Sequence, residues 1–486
     1  MDGFISVHNH SEYSNLRLLD SVNKKEAMIK YVANDLGQMG LALTDHDSLS
    51  GHIKFLATVE DLKKKGSIPQ NFKPILGNEI YLVDEQEVVK AMDNNEYTRF
   101  YHFILLARTS EGHQMLRQLS ARAWRRARFH RGLERVNTYY TDIEEVIGNN
   151  KGHLIGSTAC LGSKFAQLVL NLIQTENEEE KVIIKKEIYQ FLCWCLDTFG
   201  DGYFYIELQP SELDNIEQVE YNKMAIKIAN AYQIPYIIAT DSHYINKEQA
   251  SIHEAFLTSQ DDESGSREVK KFYEATYFHS EKEIREKMAY LGEEVLNVAI
   301  QNTQKIANSC EVYSLYQEQT IPVIPLPNED DWHKDDELMA LAKKHPNLYQ
   351  MATSESQYDR YLVSLCFEGM RKKNVEPHEF EEYLSRLDLE AYEILGISQV
   401  RNEPISSYFV VRKKIIDLIW EAGSIVGPGR GSAGCFLINY LIDIVMMNPL
   451  RQGVELKHWR FLHHEKIELP KRYWALKVNP AKGCVA

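Results

Sequence analysis

The stretch Val7-His8-Asn9-His10-Ser11-Glu12-Tyr13, at the end of a short apolar run beginning at Phe4, decides how the first half of this chain is read. Side chains alternate along an extended segment, so His8 and His10 share a face and can reach one metal ion or two adjacent ones. By itself a His-x-His is equally two surface histidines beside a strand end. The choice rests on whether the following residues supply matching ligands.

They do. Short apolar runs recur through the first half, and most end in a residue able to bind metal. Leu41 to Leu43 leads into Thr44-Asp45-His46-Asp47, and Pro74-Ile75-Leu76-Gly77-Asn78 into Glu79. His153 to Ile155 leads through Gly156-Ser157-Thr158 to Cys160, and Tyr236 to Ala239 into Thr240-Asp241-Ser242-His243. His102 departs from the pattern by standing before its run, Phe103 to Ala107.

Between the runs the periodicity is helical. Tyr221, Met224, Ala225, Ile228 and Tyr232 fall on one helix face, and Pro235 closes that helix before the last run. Repeated strand-helix-strand units build a parallel sheet, and active groups gathered at strand ends predict a closed α/β barrel. An open doubly wound sheet is the alternative, but no glycine fingerprint for a dinucleotide is present.

With 486 residues, two or three domains are expected. The formal net charge of -15 excludes a general coating of nucleic acid, so DNA contacts would come from local basic patches. One such patch holds Arg117, Arg122, Arg125, Arg126, Arg128, Arg131 and Arg135, with Trp124 and Phe129; it fits a DNA backbone or a solvated helix face equally well. The acidic Glu176 to Glu180 is expected to be a loop insertion. No apolar run approaches the roughly 20 residues of a spanning helix, and the start lacks a signal-peptide layout, so no membrane role and a cytoplasmic location are expected. The seven scattered cysteines do not suggest a disulfide framework.

This set of His, Asp, Glu and Cys at strand ends resembles the PHP family, the polymerase and histidinol phosphatase domain. The resemblance implies a distorted (β/α)7 barrel with up to three metal ions. Its ligand positions map onto His8, His10, Asp20, His46, Glu79, His102, Cys160, Asp241 and His243. Asn15-Leu16-Arg17 lengthens the segment before Asp20, which leaves Glu12 as a substitute. Imidazole, carboxylate and thiolate donors together favour zinc or manganese over magnesium or calcium, with iron left open. Such a cluster suits phosphoester hydrolysis.

Asp261-Asp262-Glu263-Ser264-Gly265-Ser266 is a polar break, giving a first domain of residues 1–268 and a helical connection with an extended linker over 269–345, including Ile321 to Pro327. Phe380, Leu384, Leu387, Ala391 and Leu395 trace one amphipathic helix, and Tyr408, Val411, Ile415 and Ile419 a second. Then comes Val426-Gly427-Pro428-Gly429-Arg430-Gly431-Ser432-Ala433-Gly434, running into the apolar Phe436 to Ile444. A glycine-rich loop opening a helix frees backbone N–H groups for an anion, and Arg430 adds a fork of donors; a tight turn in a packed domain is the plainer alternative.

This loop, with Asn448-Pro449-Leu450 and Trp459-Arg460-Phe461-Leu462, resembles the palm of C-family replicative DNA polymerases, the alpha subunit of DNA polymerase III, in which a PHP domain also comes first. The resemblance covers residues 1–470. It implies an incomplete α+β palm over 346–470, in which Arg430, Gly431 and Ser432 hold the triphosphate of an incoming nucleotide. It also implies DNA as partner, other replisome subunits, and 3′ to 5′ removal of nucleotides by the PHP site.

After Pro470 the family carries Asp-x-Asp, the carboxylates that hold paired magnesium ions, whereas this chain reads Lys471-Arg472-Tyr473-Trp474. Residues 471–486 are expected to be a divergent tail, as from an intron, intein, split or frameshift. No polymerising residue is therefore expected, and magnesium would matter only if a C-terminal polymerase fragment completed the site. Two alternatives stay open: an autonomous PHP phosphatase acting on a small phosphate ester, and a non-catalytic half of a split polymerase.

Overall fold

A computed structural model of the chain describes residues 3–94, 96, 98–130, 133–259, 271–316, 320–451 and 456–464. It divides into two compact units, Met1–Leu315 and Tyr316–Ala486.

The first unit is built on strands β1 (Gly40–Leu43), β2 (Lys73–Val83), β3 (Tyr101–Ala107), β4 (Leu154–Ser157), β5 (Phe204–Leu208) and β6 (Tyr236–Ile238). They lie side by side in sequence order. The residues around His8 close the ring, because Ser6 bridges to Leu41 of β1 while Asn9 bridges to Ser242, just past β6. Backbone bonds of 2.9 Å from Ala42 N–H to Ser6 O and 3.0 Å from His10 N–H to Ser242 O hold both seams. The opening stretch is thus a seventh stave, as a (β/α)7 barrel requires.

Neighbouring strands are parallel except around β3, which runs antiparallel to both β2 and β4. That reversal explains His102. At the start of a reversed strand, it lies at the edge where the parallel strands end. Alternate residues Ile5 and Val7, Ile104 and Leu106, with Ala42, Ile75, Ile155, Tyr205 and Ile237, pack into one apolar cluster. The opposite faces of the strands pack against helices, which is why β1, β4 and β5 are buried along their whole length.

Helix α1 (Ser110–Arg125) carries much of the basic stretch, and two of its arginines are committed: Arg122 pairs with Glu145 at 2.6 Å, while Arg126, just past the helix, pairs with Asp142. Arg131 lies outside the described residues. The acidic run does not form a loop. Glu178, Glu179 and Glu180 open α2 (Glu178–Phe199), where Asn177 caps the helix and carboxylates face its positive end. Helix α3 (Ile216–Tyr232) ends before Pro235 as predicted.

The break at 261–266 and the 268 boundary lie outside the described residues. The structure keeps the following helices with the barrel. Helix α4 (Glu293–Ser309) donates from Asn302 to the Tyr236 carbonyl at 2.9 Å, and its Thr303 hydroxyl accepts from Ile5 N–H at 3.2 Å.

Among the described residues the second unit is helical, without strands. Helix α5 (Phe380–Arg401) buries Phe380, Leu384, Leu387 and Ala391 along the predicted face. Helix α6 (Ser406–Glu421) differs from expectation: it buries Phe409 and Val410 near its start, while Ile415 and Ile419 are 51% and 36% exposed. Its first turns and Ile416 pack on the core. The end of the glycine loop forms a 3₁₀ turn, Gly431–Cys435, and the apolar run after it forms a short helix, Leu437–Leu441. Asp443 is therefore not on a helix; it takes a left-handed backbone (φ 62°) and pairs with Lys373 at 2.6 Å. A Cβ on Gly369 would stand 2.2 Å from the Leu441 carbonyl oxygen, so this glycine permits the close packing beneath that run.

Candidate metal centre

All nine residues singled out at strand ends converge in the first unit. His8 Nε2 lies 3.0 Å from Glu79 Oε2 and 3.2 Å from Asp241 Oδ1. His10 Nε2 approaches the same two oxygens at 2.9 and 3.1 Å. His46 Nε2 stands 2.8 Å from Asp20 Oδ2, and His243 Nε2 stands 3.4 Å from it. His102 Nδ1 touches Glu79 Oε1 and lies 3.4 Å from Cys160 Sγ. Three overlapping groups have donor atoms within 4.8 Å of one another: His8, His10, Glu79 and Asp241; His10, His46 and His243; His46, Glu79 and His102. His102, with its side chain 23% exposed, is the member nearest solvent.

The long segment after His10 still delivers Asp20. Ser14–Leu16 forms a 3₁₀ turn, and the Asn15 side chain accepts from Asp20 N–H and Ser21 N–H, each at 3.1 Å, folding the insertion back on itself. Glu12 is engaged elsewhere, with Lys25. Two strand ends take a left-handed backbone beside a ligand, at Asp47 (φ 45°) and Ala159 (φ 59°), and Asp241 (φ 46°) adopts it itself. Such strain at non-glycine residues persists where surrounding contacts enforce it.

The imidazoles are oriented from behind. His8 Nδ1 pairs with Glu207 Oε2 at 2.9 Å, and Glu207 also receives the Ser157 hydroxyl. His10 Nδ1 pairs with the Ser14 hydroxyl at 3.0 Å, which donates to Asp45 at 2.9 Å. His243 Nδ1 donates to the Asp241 carbonyl at 2.7 Å. These partners fix the proton on Nδ1 and turn the Nε2 lone pair toward the centre. Glu207 was missed in the sequence, although a carboxylate inside the apolar strand Phe204-Tyr205-Ile206-Glu207-Leu208 is a signal. Glu207→Gln is expected to weaken metal binding by about 10- to 100-fold without unfolding the barrel, as measured by chelator competition.

Burial opposes a charge on His10, yet Asp241 and Glu79 outweigh it and push the imidazole up to about 10. Burial is likewise overcome at His8, raised by Asp241, Glu207 and Glu79. Against the same burial, surrounding imidazoles hold Asp20, Glu79 and Asp241 below the usual carboxylate range. Burial, reinforced by Asp241 and Glu79, raises the Cys160 thiol. Asp20 Oδ1 and His46 Nδ1 are buried without a hydrogen bond, and Asp20 Oδ2 and Glu79 Oε1 meet only imidazole nitrogens, as atoms suited to a metal ion would. The donor set and these orphaned atoms fit bound transition metal.

In the second unit, Arg430 and Gly431 are exposed and Ser432 is partly so. Gly429 and Gly431 take φ of 120° and 69°, and a Cβ on Gly429 would meet Val445 at 3.0 Å. The loop leads into the 3₁₀ turn rather than directly into a long helix. Pro470 and residues 471–486 lie outside the described residues.

A closed α/β barrel with clustered histidines, carboxylates and a thiol at its strand ends is the architecture of a PHP domain, and residues 6–211 match that family. Residues 360–471 match the bacterial DNA polymerase III alpha NTPase domain. A probable DNA polymerase of Bacillus subtilis and a DNA-directed DNA polymerase of Bacillus phage SPbeta are each 39% identical over 477 residues, covering 96% of this chain and 36% of the relative. The DNA polymerase III alpha subunit of Campylobacter jejuni is 26% identical over 481 residues, covering 97% of this chain and 35% of its own length. The chain is related along nearly its whole length to the N-terminal part of bacterial DNA polymerase III alpha subunits and their phage counterparts. It spans about a third of the length of these relatives. Among the described residues no helix is long and apolar enough to cross a membrane.

Proposed function

We infer that this chain is the N-terminal portion of a replicative DNA polymerase, and that its barrel is a metal-dependent phosphoesterase removing nucleotides 3′ to 5′ from DNA ends. The convergence of nine potential ligands, seven of them in three overlapping donor groups with Asp20 beside His46 and Cys160 beside His102, carries this proposal. His8, His10, Asp20, His46, Glu79, His102, Cys160, Asp241 and His243 would hold up to three zinc or manganese ions. When bound, such ions neutralise a phosphate and lower the pKa of water to about 7. The protein's part is to fix the donors: Glu207 and Ser14 aim His8 and His10, and His102 marks the open side. Arg17, over the Tyr81 ring and 3.3 Å from Asp47, supplies a cation near that side for the phosphate backbone.

In the second unit we assign Arg430, Gly431 and Ser432 to a nucleoside triphosphate. Ile415, Leu418, Ile419, Trp420, Met446 and Met447 are exposed, which supports a covering partner such as a C-terminal polymerase segment. Other replisome subunits and DNA complete the expected partners, with magnesium entering only alongside the missing carboxylates.

The test is release of nucleotides from single-stranded or 3′-mispaired DNA with manganese or zinc. Asp241→Asn combined with His243→Ala is expected to lower the rate by about 100-fold or more, since even outer partners of metal ligands cost 10- to 100-fold. Undiminished activity in this variant would assign the hydrolysis to a contaminant and the cluster to a structural role.

A further inference from the structure

A second group of metal-binding side chains lies in the other unit, far along the chain from the barrel's ligands. Glu393 of α5 is almost buried, and three histidines of the segment 458–464 surround its carboxylate. His464 approaches Oε2 twice, its backbone N–H and its Nδ1 each at 2.7 Å. On the other oxygen, Oε1, His463 Nδ1 stands at 3.6 Å and His458 Nε2 at 3.5 Å. One donor atom from each of Glu393, His463 and His464 lies within 4.8 Å of the others.

Two observations point to an ion. His463 Nδ1 is buried and makes no hydrogen bond, although it faces the carboxylate. Donors bound to one tetrahedral zinc at about 2.0–2.2 Å stand roughly 3.3–3.6 Å apart, the spacing of Oε1 from His458 and His463. A divalent cation would be held here by neutral imidazoles and the carboxylate together.

The site is also built into the packing. A Cβ on Gly396, one helical turn after Glu393, would meet His464 Cγ at 2.6 Å, so only glycine lets that ring lie against the helix. Tyr392 meets the same ring edge-on, with centroids 4.7 Å apart. We propose that Glu393, His463 and His464 form a separate binding site for a zinc-class transition metal ion that clamps the segment 458–464 onto α5. This site is independent of the barrel centre and of the phosphoesterase assignment.

The full chain is loaded with Co²⁺, desalted and analysed for metal per chain. Combined His463→Gln and His464→Gln is expected to lower the content by one equivalent. Unchanged metal content would overturn the proposal. Because His464 also holds Glu393 by hydrogen bonds, His463→Cys provides a check that does not depend on that pair. Its Co²⁺ form is expected to gain near-ultraviolet thiolate-to-cobalt absorbance beyond that of the wild type, whose barrel already offers Cys160, and no added absorbance would equally overturn the site.

Discussion

Replacing His8 and His10 together with alanine is expected to remove most of the transition metal bound by the barrel. His10 belongs to two of the three donor groups and His8 to one of those, so only His46, Glu79 and His102 keep a complete group. The effect is larger than for any outer residue because two direct donors vanish and the buried carboxylates Glu79 and Asp241 each lose two of their imidazole partners. Elemental analysis after exhaustive desalting measures it. At most one barrel ion per chain should remain, and an unchanged content would show that the metal is held elsewhere.

Primer extension should give an all-or-none difference. At 471–474 the sequence reads Lys-Arg-Tyr-Trp, where the resemblance to C-family polymerases places Asp-x-Asp. On the proposed assignment Lys471 and Arg472 stand where paired carboxylates would hold two magnesium ions, so a primer hydroxyl is not aligned with a triphosphate at the site proposed for Arg430 to Ser432. The 486-residue chain is therefore expected to add no nucleotide, and synthesis is expected only after mixing with a fragment beginning at Asp-x-Asp. Synthesis by the chain alone would refute the assignment of those carboxylates.

The barrel was legible because five of its seven staves announce themselves by a short apolar run leading into a ligand, a local pattern tied to the two-residue period of a strand. His102 looked like an exception only because strand direction cannot be read from one strand; the antiparallel pairing of β3 restores it to the same edge. Asp20 looked displaced because Asn15 folds the extra residues back, a contact spacing alone does not reveal. Glu207 escaped notice because it orients a ligand and lies among apolar neighbours.

In the second unit, periodicity found α5 and its buried face, since that helix is enclosed along its length. It misjudged α6, whose apolar residues beyond Val410 are largely exposed, because periodicity marks an apolar stripe without saying what covers it. The run Glu176 to Glu180 was taken for a loop on charge alone, although carboxylates are favourable in the first turn of a helix. The convergence of Glu393 with His463 and His464 joins residues separated by some 70 positions, a distance no local pattern spans.

Electron paramagnetic resonance of the manganese-loaded chain tests the shared barrel centre most directly. Glu79 and His10 each belong to two donor groups, so neighbouring ions are expected to be close enough to couple magnetically. The predicted result is an exchange-coupled multiline spectrum that disappears in His8→Ala with His10→Ala. A simple six-line signal from isolated ions, identical in both proteins, would contradict it.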